Sequence, residues 1–457
     1  MNSNSKIKQF FKMTPAKYIL LGFAALILIG AVLLCLPISN VEGRWLPFVD
    51  AFFTSTASVC VTGFMVFDIA AEFTLFGELV VLFLIQIGGL GFVTMASFVF
   101  MLIGKKIDYQ TRISIQSSLS KEDNVGVVKT VKQILLITFI CEFAGFLMLS
   151  PSMIKFTGNF WSGCYKALFL SISAFCNAGI DPLGTSTASF SNLAYFASDP
   201  FVLIPVMLLV FVGGIGFVVI LDIFKKPAKN KKLTLHSRIA LWVSLVLIVF
   251  GASIFMIAEW NNAATIGSMS TFDKITNSFF QSITTRSSGF TTFSQAAMTD
   301  ISYLTSVLLI LIGGSPVAVS GGIKTTTFFI LLLLLFKNQD QNGNIIYRGK
   351  KITHKVITKA VRILLIAILL LIVGSMLIYV FEGGACTIDS VVYEVVSAVC
   401  TAGLSFGITP TLSVMSKLVL VTLMYVGRIG MLTIPLAFKT KETNSSIEYV
   451  SAKIIVG

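Results

Sequence analysis

A chain of 457 residues that is 55% hydrophobic and 12% charged, with a mean hydropathy of +0.90, is no ordinary soluble domain, where charged residues run at about 25%. The composition belongs in lipid. A formal net charge of +13 would suit nucleic acid if the basic residues gathered on one surface, so where they fall along the chain decides what they mean.

A hydrocarbon core of about 30 Å needs roughly 20 helical residues to cross it. Eight apolar stretches meet that need in chain order: residues 18–37, 76–103, 131–154, 201–224, 239–258, 301–336, 357–381 and 414–438. The sequence therefore predicts an all-α polytopic membrane protein. The first stretch follows Lys6, Lys8, Lys12 and Lys17, as the core of a secretory signal would. Its length, the lack of a small-residue cleavage site and the seven spans that follow make it a permanent span.

These spans sort the charges. Most of the 34 Lys and Arg fall at the N-terminus, in the loops after spans two, four and six, and in the C-terminal tail, which the positive-inside rule assigns to the cytoplasm. Both termini are then cytoplasmic, and topology explains the positive excess. The opposite face carries Asp50, Asp68, Glu72, Asp181, Asp199, Asp273, Asp300 and Asp389, which either concentrate cations there or only solvate the loops. Basic runs at Lys225, Lys226, Lys229, Lys231 and Lys232, and at Arg348, Lys350, Lys351 and Lys355, suit lipid headgroups or an acidic partner equally. The seven Cys form no CxxC pair and the two His, His236 and His354, sit in cytoplasmic loops, so no metal centre is expected. No Walker loop and no Ser, His, Asp set at membrane depth point to an enzyme.

A unit of span, short loop, span recurs four times. The loops read Val59-Cys60-Val61-Thr62-Gly63, Phe175-Cys176-Asn177-Ala178-Gly179, Thr285-Arg286-Ser287-Ser288-Gly289 and Val399-Cys400-Thr401-Ala402-Gly403. A second glycine cluster follows each: Gly88-Gly89-Leu90-Gly91, Gly213-Gly214-Ile215-Gly216, Gly313-Gly314 and Gly427-Arg428-Ile429-Gly430. The implied units are residues 1–104, 105–235, 236–356 and 357–457, with pseudo-four-fold symmetry. The apolar segment entering each loop is only about 13 residues, roughly 20 Å as a helix, so it is expected to re-enter rather than span. Non-helical backbone at that depth is tolerated where protein or a water-filled cavity satisfies it.

Four such loops around one axis would offer a ring of backbone carbonyls, which replaces the water shell of a potassium ion without trapping it through a full charge. The loop glycines admit backbone angles that side chains forbid, and the small residues before them suit a crowded axis. Taken singly, each glycine could equally serve close helix packing; four in register favour the ring.

The motifs VCVTG, FCNAG, TRSSG and VCTAG, one per unit over nearly the whole chain, resemble the filter loops of the Trk/Ktr/HKT superfamily of potassium transporters. Eight spans that begin near the N-terminus look like the Ktr-type membrane subunit, since Trk-type proteins carry an additional N-terminal pair. The resemblance implies potassium uptake, commonly sodium-activated, by a homodimer docked on a cytoplasmic ring of nucleotide-binding subunits. It assigns the filter to Val61, Thr62, Gly63, Asn177, Ala178, Gly179, Ser287, Ser288, Gly289, Thr401, Ala402 and Gly403. Gly63, where a serine accompanies sodium permeation in the family, favours potassium.

The second span of unit three is interrupted by helix breakers at Gly313, Gly314, Ser315, Pro316, Ser320, Gly321 and Gly322, before Lys324 opens a further apolar run. The resemblance makes this stretch a gate beneath the filter; the bland reading is a kink. Lys324 either bonds loop carbonyls or an acid, or snorkels to the cytoplasmic surface. Arg428, deep in the last span, costs at least about 2.5 kcal/mol if unpaired. Either its charge opposes cation passage, as the resemblance implies, or carbonyls or an acid hold it for structural reasons. Arg286 takes the place that Cys60, Cys176 and Cys400 hold in the other loops. It is expected to point off the axis and clamp carbonyls or an acid, and the cysteines to pack behind the filter. Two other readings are an alternating-access cation carrier and a sodium-permeable family member. A carrier more often shows inverted repeats, and these repeats share one orientation.

Overall fold

The computed structural model describes residues 15–91, 94–95, 127–184, 187, 190–229, 232–431 and 433. Lys6, Lys8, Lys12, most of the loop after the second span, Lys231 and the tail beyond residue 433 lie outside these residues, so the charge sorting is described only in part.

Each unit begins with a long apolar helix: α1 (Pro15–Cys35), α4 (Val127–Thr157), α8 (Leu235–Glu259) and α12 (His354–Phe381). Among the described residues these are the four helices long and apolar enough by themselves to cross a membrane. A shorter helix follows: α2 (Phe48–Val59), α5 (Phe160–Phe175), α9 (Thr271–Thr284) and α13 (Ile388–Val399). At 12 to 16 residues they reach at most about 24 Å. Asn159, Ser270 and Thr387 start the last three by accepting from backbone N–H groups two or three residues on, which satisfies donors that a helix start leaves free. The returning helices are α3 (Leu75–Leu90), α6 (Pro200–Ile215), α10 (Asp300–Leu311) and α14 (Val414–Ile429), capped in the same way by Thr74, Asp199, Thr299 and Ser413.

The sequence leads one to expect a single broken span, in unit three, yet every returning helix stops early. In units one, two and four the stop is Gly91 (φ +84°), Gly216 (φ +96°) and Gly430 (φ +100°), left-handed backbone that ends an α-helix and that glycine adopts without strain. After Gly216 the chain turns through 97° into α7 (Phe217–Lys229). Unit three departs further, because residues 313–324 form a loop before α11 (Thr325–Phe336).

An all-α expectation also misses one hairpin. Strands β1 (Ile345–Tyr347) and β2 (Lys350–Ile352) pair antiparallel, Tyr347 opposite Lys350. Arg348 and Gly349 both have positive φ, at +49° and +71°, as a two-residue hairpin turn requires.

Returning helices pack on the short helix of the next unit: α3 on α5, α6 on α9, α10 on α13, and α14 back on α2. A polar tie marks each seam. Tyr165 donates to Glu78 Oε2 (2.6 Å), Asn277 Nδ2 to Ala197 O (2.7 Å), and Tyr303 to Asp389 O (3.2 Å). Lys417 closes on Asp50 (2.8 Å). In apolar surroundings such bonds specify neighbours as well as binding them.

Candidate functional site

Each short helix ends in the same local geometry. Val61, Asn177, Ser287 and Thr401 have positive φ (+54°, +55°, +77°, +48°), and so do the glycines two residues later, at +96°, +65°, +83° and +79°. Side chains are rare in that region, and holding non-glycine residues there costs of order 1–3 kcal/mol each. Main-chain bonds impose it. The N–H groups of Thr62, Ala178 and Ala402 reach back five residues to the carbonyls of Ala57, Ser173 and Ser397, at 2.8 Å in each case. In the third loop the turn is one residue tighter, with Ser288 N donating to Thr284 O at 3.0 Å.

The four glycines meet. A β-carbon built on Gly63 would lie 2.5 Å from Ala178 O, and one on Gly289 would lie 2.8 Å from Ala402 O. One on Gly179 would strike Ser288 O, and one on Gly403 would strike Thr62 O. Each glycine thus abuts the carbonyl before the next unit's glycine, and the fourth returns to the first. Thr62, Ala178, Ser288 and Ala402 are buried. The side chain of Asn177 turns away, toward Ala174 O and Val210 O, which fix its amide orientation so that the nitrogen donates to both at 3.1 Å. Cys60, Cys176 and Cys400 are free and buried. Carbonyl oxygens gathered in this way suit a cation that has shed its water.

Outside these loops lies a cavity of about 210 Å³ whose lining includes Gly63, Gly289, Gly403, Asp68, Asp181 and Asn192. On the other side lies the unit-three loop. Ser315 N donates to Gly214 O (2.9 Å), Phe217 N to Val317 O (3.2 Å) and Thr325 N to Gly314 O (3.1 Å). Ser287 joins loop to filter segments, because its Oγ donates to Thr401 O (2.8 Å) and accepts from Gly321 N (3.1 Å). A β-carbon on Gly321 would lie 2.7 Å from Cys400 O, so loop and fourth filter segment touch through backbone. Pro316 O faces Gly216, and Gly313, Gly314, Ser320 and Gly322 complete the turn.

Lys324 and Arg428, left open by the sequence, and Arg286 are all held by oxygen atoms. Lys324 does not snorkel; Nζ donates to Ser320 O and to Gly321 O (3.4 Å). Arg428 donates to Val319 O and Gly88 O, and to Gly89 O at 3.2 Å, so it ties the unit-three loop to the glycine cluster of unit one. Arg286 points off the axis as expected, to Ser244 O and Oγ (3.2 Å each) and Gly313 O (3.3 Å).

Other parts escaped the sequence. Gly88, Gly213 and Gly427 abut the carbonyls of Val59, Phe175 and Val399, so the second glycine cluster lets the returning helix touch the end of the short one. Gly30, Gly145 and Gly251 similarly face Ser55, Ser171 and Ser282. Glu142, near the middle of α4, is buried and accepts from Gln86 Nε2 (3.2 Å). Asn192 donates to Gly179 O at 3.0 Å. No spacing rule points to Asn192, since its partners are far from it in sequence.

The family model of TrkH, a cation transport protein, matches residues 23–449. The chain is 33% identical over 454 residues to Ktr system potassium uptake protein B of Bacillus subtilis, covering 99% of each. It is also 33% identical over 451 residues to potassium/sodium uptake protein NtpJ of Enterococcus hirae, covering 98% of each. The fold is that of the crystal structure of the potassium transporter TrkH from Vibrio parahaemolyticus, with a TM-score of 0.70 at 16% identity over 92% of this chain and 84% of that one. The chain is therefore a multi-pass membrane protein of the TrkH/Ktr family of cation transporters, not an enzyme.

Proposed function

We propose that this chain carries potassium into the cell through a filter made of the carbonyls of residues 61–63, 177–179, 287–289 and 401–403. The four units, residues 1–104, 105–235, 236–356 and 357–457, stand around one pore, with both termini in the cytoplasm of a cell-membrane protein. The observation that carries the reading is the closed circuit in which each loop glycine abuts the carbonyl before the next one. A fixed charge would hold a cation too tightly to release it, whereas peptide dipoles replace its water and still let it leave.

The loop at residues 313–324 serves as the gate, and Arg428 places a positive charge in the conduction path on the gate side. The names of the Bacillus and Enterococcus relatives support potassium as cargo and sodium as activator or second ion. By the same kinship the working form is a homodimer in lipid with a cytoplasmic nucleotide-binding ring. A sodium-permeable transporter is the second reading, favoured by the printed name of the Enterococcus relative.

The test is ion uptake into proteoliposomes. Gly63→Ser adds a side chain where a β-carbon would lie 2.5 Å from Ala178 O. We expect the ratio of potassium to sodium uptake to fall about tenfold, a shift of roughly 1.4 kcal/mol between the two ions. An unchanged ratio removes the filter reading, and a wild-type ratio near one favours the sodium-permeable alternative.

A further inference from the structure

The second glycine cluster follows the filter glycine by 24 or 25 residues in units one, three and four, but Gly213 follows Gly179 by 34. The extra residues lie in the outer loop of unit two, and they bring Asn192 back over the filter. Phe190 N donates to Asp68 Oδ2 at 2.9 Å, which fastens this loop to unit one. Leu193 N donates to Thr291 O at 3.0 Å, which fastens it to unit three. Between these anchors Asn192 is 8% exposed with φ at +48°, a conformation that asparagine tolerates better than most side chains.

Both ends of its amide are engaged. Oδ1 accepts from Leu193 N (2.9 Å) and Thr291 N (3.2 Å), and Nδ2 donates to Gly179 O (3.0 Å). Two N–H groups aimed at one terminal atom require that atom to be oxygen, so the orientation is set by the network. Among the described residues no such side-chain donor reaches the carbonyl of Gly63, Gly289 or Gly403.

We propose that Asn192 is a positioning residue for ion selection: it aims the Gly179 carbonyl and locks filter segments two and three together. The inference rests on the carbonyl-filter reading. A peptide oxygen has two lone pairs. With one engaged by the Asn192 amide, the Gly179 carbonyl has a fixed direction and a reduced field at the ion, whereas the other three glycine carbonyls lack that restraint. Discrimination between ions of one charge and different size depends on the number, field strength and freedom of such oxygens. An unrestrained Gly179 carbonyl would follow a smaller ion inward, and the preference for potassium would drop.

Asn192→Gly removes all three side-chain bonds and keeps a residue at ease with positive φ. Asn192→Asp keeps both accepting bonds and the clamp on Thr291, replaces the donor to Gly179 O by a carboxylate oxygen, and adds a negative charge that attracts either cation. Potassium and sodium uptake are measured in proteoliposomes for both variants beside Gly63→Ser, with the melting temperature of each protein titrated with potassium chloride and sodium chloride as a readout without flux. We expect the potassium-to-sodium uptake ratio to fall about three- to tenfold in both Asn192 variants, the loss that one hydrogen bond of ordinary strength supports. Potassium should also lose its advantage over sodium in raising the melting temperature. Equal slowing of both ions with an unchanged ratio would mark a purely structural strap and overturn the proposal. So would a loss in Asn192→Gly that is absent from Asn192→Asp, since the Thr291 clamp and not the aimed carbonyl would then be responsible. If Asn192→Gly does not fold, the Asn192→Asp ratio decides alone. If Gly63→Ser also leaves the ratio untouched, the filter reading itself has failed; a response of Gly63→Ser without one at Asn192 rejects this inference only.

Discussion

The four glycine loops and the layer packed against them around residues 313–324 are built on opposite principles. The loops repeat one geometry, a positive φ two residues before a glycine whose φ is also positive, and backbone atoms make nearly all the contacts where the glycines meet. In the layer against them the units diverge. Among the described residues, unit three alone inserts a loop such as 313–324, and Arg428 from unit four binds that loop through Val319 O and unit one through Gly88 O and Gly89 O. On the proposed reading the difference teaches that coordination of an ion rewards repetition, since equivalent oxygens would each bear the same share, whereas control of passage would need only one obstruction, which any single unit could supply.

The strongest way to break this comparison is to damage the repeated half at one point. Gly403→Ala would place a β-carbon on Thr62 O and force a side chain into φ +79°, a strain of about 1–3 kcal/mol before the clash is counted. We predict that rubidium uptake falls to background while the protein still reaches the membrane. Uptake within about half of the wild-type rate would mean that the crowding at the glycines is incidental.

Removing the unique half should act in the opposite direction. Deleting residues 315–320 takes away the loop segment that meets α6 and Arg428, and potassium flux should rise about tenfold, the effect of lowering one barrier by roughly 1.4 kcal/mol. Flux should also become insensitive to any cytoplasmic partner. A variant that folds and conducts less would show that the loop supports the filter from below instead of closing it.

The smallest effect sharpens the division within the layer around residues 313–324. Arg428→Gln keeps a donor for one of the three carbonyls and removes the charge. Flux two- to threefold faster at equal expression, about 0.5 kcal/mol of barrier, would assign Arg428 to the obstruction. Equal flux in the variant would leave the arginine as a tie between loop and helix and nothing more.

The legible parts of the site are the residues whose reason is local. Gly63, Gly179, Gly289 and Gly403 stand out because each follows a short apolar segment at a near-constant interval, and the structure brings them together. Arg286 was expected to turn off the axis because a charge aimed along it would repel the cargo, and it does so, to Ser244 and Gly313. The illegible parts are set by backbone conformation or by partners that no short motif brings together. Gly91, Gly216 and Gly430 sit in apolar runs that read as continuous spans, yet each ends its helix. The Arg348-Gly349 turn pairs two short strands that no long periodic pattern announces. Asn192, Glu142 and the Glu394 carboxylate, which accepts from Ser405 and Thr409 Oγ1 (3.2 Å), carry no motif, because each is defined by what folds against it.

By itself the sequence determined the solvent. Apolar length places the chain in lipid, while charge bias and glycines recurring in register lead one to expect cytoplasmic ends and four units, all properties that are sums over neighbouring residues. The tertiary structure alone decided which oxygens face which: the circuit from Gly63 through Gly179 and Gly289 to Gly403, the closure of the last unit on the first through Lys417 and Asp50, and the capture of Arg428 by three carbonyls. Those contacts join atoms more than a hundred residues apart. Hydrogen bonds and excluded volume act over a few ångströms of space, and sequence distance carries no information about that separation until the chain has folded.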